Sequence, residues 1–241
     1  MERGLNVQTN SNKTELIWPG KTTDFERISL PFQCIETIQN GKRQTQFQEN
    51  TLDLFENYEP HFSQNGDWYN LLVWGENKYA MSSLLKDFEG KIDLIYIDPP
   101  FATGADFSFK VKIGDFELTK EQSIIEEKAY RDTWGKGISS YLQMLYERFK
   151  IIYNLLSDKG SFYIHLDFRV VHYIRPVLDE IFGIDNFLNE LIWCYSEREI
   201  SKRFYNRKHD TILFYAKDVN NSSRPFNCFD ITESYSELSD K

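Results

Sequence analysis

Ile92-Asp93-Leu94-Ile95-Tyr96-Ile97 is a β-rich run with few polar breaks, and Asp98-Pro99-Pro100-Phe101 stops it abruptly. Proline fixes φ and carries no N–H, so two in succession cannot continue a ladder. This predicts a buried strand whose carboxyl end carries a rigid turn. Upstream, Tyr69-Asn70-Leu71-Leu72-Val73-Trp74 reads as a short strand closed by Gly75. Tyr79, Met81, Leu84, Leu85 and Phe88 then suggest a helix ending at Gly90. Downstream, the charged stretch from Phe101 to Gly137 reads as a long excursion holding a short helix near Glu121 to Lys128.

Ile138, Leu142, Leu145, Phe149, Ile152, Leu155 and Leu156 follow helical spacing, between Ser139-Ser140 and an Asp158-Lys159-Gly160 stop. A strand is expected over Ser161 to Leu166, then a helix over Val170 to Phe182 that Pro176 kinks or begins. Phe187 to Tyr195 and Thr211 to Ala216 complete the strands, the last of them candidates for antiparallel pairing. This alternation favours an α/β sheet with helices on both faces.

At 241 residues the chain suits one large domain or one and a half. Its organisation is read as an irregular amino-terminal arm over residues 1–65, a main unit over 66–218 and the start of a further segment over 219–241. Cys34, Cys194 and Cys228 are odd in number and widely spaced, which disfavours a disulfide scaffold or a zinc module and suits a reducing, cytoplasmic setting. No apolar run approaches the ~18 residues of a membrane span. With 28 Lys+Arg against 37 Asp+Glu the formal charge is −9, so nucleic acid would have to meet a local basic patch. Gly20-Lys21-Thr22 lacks the glycine a phosphate loop needs five residues upstream, where Glu15 stands.

Open α/β sheets bind ligands beyond the carboxyl ends of their strands, where Asp98 falls. A carboxylate and a turn carbonyl can each accept one N–H of an exocyclic amine, turning its lone pair toward an electrophile. The prolines limit the drift of both acceptors. Phe101 could stack on the ring, a contact worth about 1–3 kcal/mol. The bland alternative has Asp98 capping a turn and Phe101 in the core.

Asp93 to Gly104 closely resembles the catalytic motif of amino-group DNA methyltransferases of the N6-adenine and N4-cytosine kind, especially the adenine-specific modification subunits of type III restriction-modification systems. Trp74-Gly75-Glu76-Asn77, Gly160 to Asp167, Phe182 to Trp193 and Lys208 to Lys217 extend the resemblance in order across residues 70–218. It implies a Rossmann-like methyltransferase sheet, S-adenosylmethionine as cofactor and double-stranded DNA as partner. It also implies methyl transfer to the N6 amine of a flipped adenine. Asp98, Pro99, Pro100 and Phe101 would be catalytic, Glu76 and Asp98 would face the cofactor, and Phe101 with Phe214 or Tyr215 would stack on the base. Alternation on a strand sends one of the last two into the core, without saying which. The family's Phe-x-Gly-x-Gly cofactor loop is absent and Gly135-Lys136-Gly137 reads as a turn, so an amino-terminal fragment is expected, paired with a carboxyl-terminal half or a restriction subunit.

Arg198, Lys202, Arg203, Arg207 and Lys208 form the one concentrated basic run and are read as DNA-phosphate contacts, against a solvated loop. His165 and Asp167 are read as structural hydrogen-bonding groups, and His209 and Asp210 as fixing the start of a strand. No metal is implied. The rivals are N4-cytosine methylation, glutamine side-chain methylation, for which Asn rather than Asp would lead the motif, and a non-catalytic DNA- or partner-binding module.

Overall fold

The computed structural model describes residues 14–24, 26–33, 35–39, 42–45, 70–100, 109–113, 116–120, 137–195, 203 and 205–228. Phe101, Arg198, Lys202 and the expected helix near Glu121 lie outside the described residues.

In chain order the elements are β1 (Glu36–Gln39), β2 (Lys42–Thr45), α1 (Asn77–Phe88), β3 (Ile92–Ile97), β4 (Phe109–Ile113), β5 (Phe116–Lys120), α2 (Ile138–Leu155), β6 (Leu156–Leu166), α3 (Val171–Phe182), β7 (Phe187–Cys194) and β8 (His209–Ala216). Two antiparallel hairpins, β1–β2 and β4–β5, stand apart from a four-stranded sheet ordered β3-β6-β8-β7. The expected mixed α/β sheet is present. β3 and β6 are parallel, bridged by α2, and β8 lies antiparallel between β6 and β7.

Side-chain parity divides the sheet into two faces. Ile95, Ile97, Phe162, Ile164, Leu166, Leu213 and Tyr215 join the main core with Tyr141, Leu145 and Phe149 of α2 and Ile174 and Leu178 of α3. Leu85 of α1 packs with Ile151 and Leu155 of α2 beside Ile92 and Ile95. All three described α-helices thus cover one face. The opposite parity, Leu94 and Tyr96 on β3 with Tyr163 and His165 on β6, emerges on the other face, where Leu94 and Tyr96 are more than half exposed.

Several expectations change. Among the described residues β3 is an edge strand of half-buried and exposed residues, not a buried one. Helices were expected on both faces, and the described ones lie on one. The arm expected to be irregular holds the β1–β2 hairpin. Residues 70–74 form no strand, and Leu72 and Trp74 are exposed: their apolar character alone does not secure a partner strand. Of the two readings of Pro176, a helix start is excluded, because α3 runs from Val171 to Phe182 with the proline inside it. Part of the amino-terminal arm is docked, because Trp18 is buried against Tyr146 with ring centroids 5.7 Å apart.

Gly160 permits the close approach of β3 and β6. A Cβ there would stand 2.8 Å from the Ser157 carbonyl and 3.0 Å from that of Ile92, beside the register shift between Ile92 and Leu94. At the same crossing Ser157 Oγ donates to Asp93 at 2.6 Å and Lys159 lies 3.1 Å from that carboxylate. The Ser157 and then the Lys159 bond pull the Asp93 carboxyl below its usual range.

Candidate functional site

The turn after β3 is fixed from two directions. The Pro99 ring is buried, while Tyr141 of α2, itself fully buried, donates its hydroxyl to the Pro100 carbonyl at 3.2 Å. The Asp98 side chain remains 59% exposed, so its carboxylate is available to a ligand. Tyr141 was legible in the sequence only as a helical residue, since a contact 41 residues away leaves no periodic signal.

The pairings Tyr96↔Tyr163 and Tyr163↔Phe214 lay three aromatic side chains across β3, β6 and β8 on the face away from the helices. Tyr163 and Phe214 stack with centroids 4.2 Å apart. Phe226 covers Phe214 from 6.4 Å and Arg224 from 5.8 Å, leaving Phe214 only 6% exposed. Tyr96, in contrast, is 54% exposed. Burial, and then the charge of Asp98, raise the Tyr96 phenol above its usual value; burial does the same for Tyr163, partly offset by Arg224.

The stacking assignments therefore need correction. Tyr215 has the parity of the helix side, is fully buried and donates its hydroxyl to Asp179 of α3 at 2.7 Å. It is a core residue. Phe214 has the open-face parity but is covered by its neighbours. Tyr96 is the aromatic side chain of the row exposed beside Asp98, and alternation within β3 was the signal that could have found it.

Glu76 caps α1, accepting from the backbone N–H groups of Lys78 at 2.8 Å and Tyr79 at 3.3 Å, and it pairs with Arg148 of α2. These contacts give it a structural task on α1 and α2 and do not bring it to Asp98. Asp167 is buried and accepts from the Arg169 backbone at 2.9 Å, fixing the entry to α3 as expected of a structural group. His165 behaves otherwise. Its Nδ1 lies 3.5 Å from Asp98 Oδ1 and its Nε2 3.3 Å from Asp210 Oδ2.

Antiparallel β8 begins beside the end of β6, as Leu166↔Thr211 shows, so the connection from β7 to β8 arrives at the Asp98 end of the sheet. Tyr195 N–H closes that connection by donating to the Lys208 carbonyl at 3.1 Å. Arg203 and Arg207 are exposed, and Lys208 is half-buried. Arg207 and Arg169 each place a guanidinium 4.6 Å from the Phe168 ring centre. Arg169 thus joins the basic group; 29 residues separate it from the main run, which hid it in the sequence.

Among the described residues no helix is long and apolar enough to cross a membrane. Residues 92–241 match the DNA methylase family that groups N6 and N4 methyltransferases. The EcoPI Mod subunit of Escherichia phage P1, a type III restriction-modification enzyme, is 30% identical over 96% of this chain and 34% of its own length. The type III EcoP15I Mod subunit of Escherichia coli is 28% identical over 90% of this chain and 32% of its own. The type II methyltransferase M.EcaI of Enterobacter cloacae is 31% identical over 61% of this chain and 29% of its own. The chain spans about a third of the length of these relatives. With its family match beginning at β3 and running through the Asp98 turn to residue 241, the chain belongs to the N6/N4 DNA methylase family.

Proposed function

We propose that this chain supplies the amine-binding part of a restriction-modification DNA methyltransferase that uses S-adenosylmethionine and acts on the N6 amine of adenine. The observation that carries the reading is Asp98, an exposed carboxylate at the carboxyl end of β3 on a turn held by Pro99 and Tyr141. Asp98 accepts one N–H of the amine and the Pro99 carbonyl the other. Tyr141 and the prolines keep those acceptors in near-attack geometry. Tyr96 offers an exposed ring beside them, and Phe101 is assigned to base stacking by its place in the motif. Arg169, Arg203 and Arg207 contact phosphates flanking the extruded base.

The residues present suit the cofactor in charge: Asp98 places an anionic, accessible group where a sulfonium would approach. S-adenosylmethionine supplies an electrophilic methyl group when bound. Asp98 is assigned to that side of the site as well, whereas Glu76 is committed to its helix cap. Asp in the first motif position favours adenine over cytosine. The type III relatives bear the name Mod subunit, which supports a restriction subunit as partner.

The test is methyl incorporation from labelled S-adenosylmethionine into unmethylated DNA, by this chain alone and mixed with the carboxyl-terminal portion of a close relative. The products are digested to nucleosides and identified by mass. N6-methyladenine that disappears with Asp98→Ala is the expected result. Near-full turnover by that variant refutes the assignment, and N4-methylcytosine replaces adenine as the target.

A further inference from the structure

We infer that His165 is a positioning residue for the Asp98 carboxylate, with Asp210 as the group that orients its ring. The inference rests on the proposed role of Asp98 and extends it to two residues on two other strands. Register accounts for the meeting. Tyr96 pairs with Tyr163, so two residues further along each strand Asp98 comes level with His165, both on the open face. His165 pairs with Ile212, which places Asp210 two residues earlier on β8 with the same parity.

The contacts are 3.5 Å from Nδ1 to Asp98 and 3.3 Å from Nε2 to Asp210. The His165 and Asp210 side chains are 19% and 20% exposed, against 59% for Asp98. The two sheltered groups thus form a fixed base for the open one. Nε2 is buried and its contact with Asp210 is not an aligned hydrogen bond, so Asp210 confines the ring by its position. An imidazole directs its two nitrogens to nearly opposite sides in one plane, which leaves Nδ1 toward Asp98. Asp98 lies past the end of β3, and its exposed carboxylate would otherwise sample several rotamers. Holding Oδ1 at Nδ1 leaves Oδ2 directed outward as the acceptor for the substrate amine. Misplacement of a reacting group by about 1 Å can cost about 100-fold in rate.

Two measurements test this. In the chain labelled with ¹⁵N-histidine, the His165 ring signals should move in both Asp98→Ala and Asp210→Ala; ring signals unchanged in Asp98→Ala overturn the contact itself. In the methyl-transfer assay, His165→Leu should lower kcat about 100-fold. KM for DNA should stay within about twofold, as expected when an interaction made only in the transition state is lost. His165→Asn, which keeps an N–H near the Nδ1 position, should recover at least about tenfold of that loss. His165→Leu with full kcat, while Asp98→Ala is inactive, overturns the positioning role alone. Activity retained by Asp98→Ala instead overturns the site reading on which it rests. A parallel fall in folded fraction and kcat across Leu and Asn, with no rescue, identifies a merely structural histidine and also overturns the inference.

Discussion

Lys21→Met should be among the most destabilising single changes in the amino-terminal arm, and adding Glu180→Leu should restore part of the loss. Lys21 Nζ lies 2.7 Å from Glu180, donates to the Leu16 carbonyl at 3.0 Å and stands 4.9 Å from the Trp18 ring centre. The two charged side chains are only 7% and 6% exposed. Glu180 keeps a hydroxyl donor from Tyr146 at 2.9 Å but loses its cation when Lys21 is replaced. Breaking one partner out of a buried pair costs about 3–5 kcal/mol. The arm can lift enough to wet Glu180, so the lower end, about 3 kcal/mol, is expected. At about 2–4 °C per kcal/mol for a chain this size, Tm falls by about 6–12 °C. Glu180→Leu alone strands the Tyr146 hydroxyl but leaves Lys21 its second carboxylate, Glu15 at 2.5 Å, and costs about 2 kcal/mol. Removing both charges leaves no buried carboxylate without its cation, only the Tyr146 hydroxyl and the Leu16 carbonyl unmatched, so the double variant should be more stable than Lys21→Met. Urea unfolding followed by far-ultraviolet circular dichroism measures all four species. Single losses that simply add, to about 5 kcal/mol, would refute the claim that the pair is coupled.

Burial pulls the Lys217 ammonium down to about 8, while its contacts are the Tyr153 carbonyl and the Tyr153 ring at 3.1 Å. Between that value and the ordinary one for lysine, the unfolded chain holds a proton that the folded chain has released. Stability should therefore rise with pH through this window, and Lys217→Met should flatten the rise between pH 7.5 and 9.5 in paired denaturation curves. Charge reversal at Arg203 and Arg207 should weaken DNA binding across all sequences. It should also make the plot of log K against log salt shallower by about two phosphate contacts, as read by titration at several salt concentrations; an unchanged slope removes these arginines from the interface.

Strand and helix spacing carried most of the sheet into view, because α2, α3 and β8 each bury one side, β3 sets Ile95 and Ile97 half-buried against the same core, and the sequence repeats at the matching period. The failures have a different origin. Leu71 to Trp74 are apolar enough for a strand, yet strand formation needs a partner backbone, and apolar character does not specify one. Between Phe214 and Tyr215 sequence could state only that one faces inward; the register with β6 and the hydroxyl bond to Asp179 decide it. Asp98 was legible because its neighbours are distinctive. His165 and Asp210 were noticed but read separately, since their meeting depends on β8 entering the sheet beside β6, and Asp210 lies 45 positions after His165 in the chain.

The antiparallel insertion of β8 has an evolutionary consequence. Tyr195 and Lys208 are tied together at the base of the β7–β8 connection, so its two feet stay fixed by the sheet whatever stands between them. Longer or shorter versions, with other cations or aromatics at their tips, would cost little in closure entropy. The Asp98 turn follows β3, and Asp210 stands inside the tied foot at Lys208, so both would keep their places throughout. The connection can thus vary in length and composition while the turn that carries Asp98 stays as the sheet sets it.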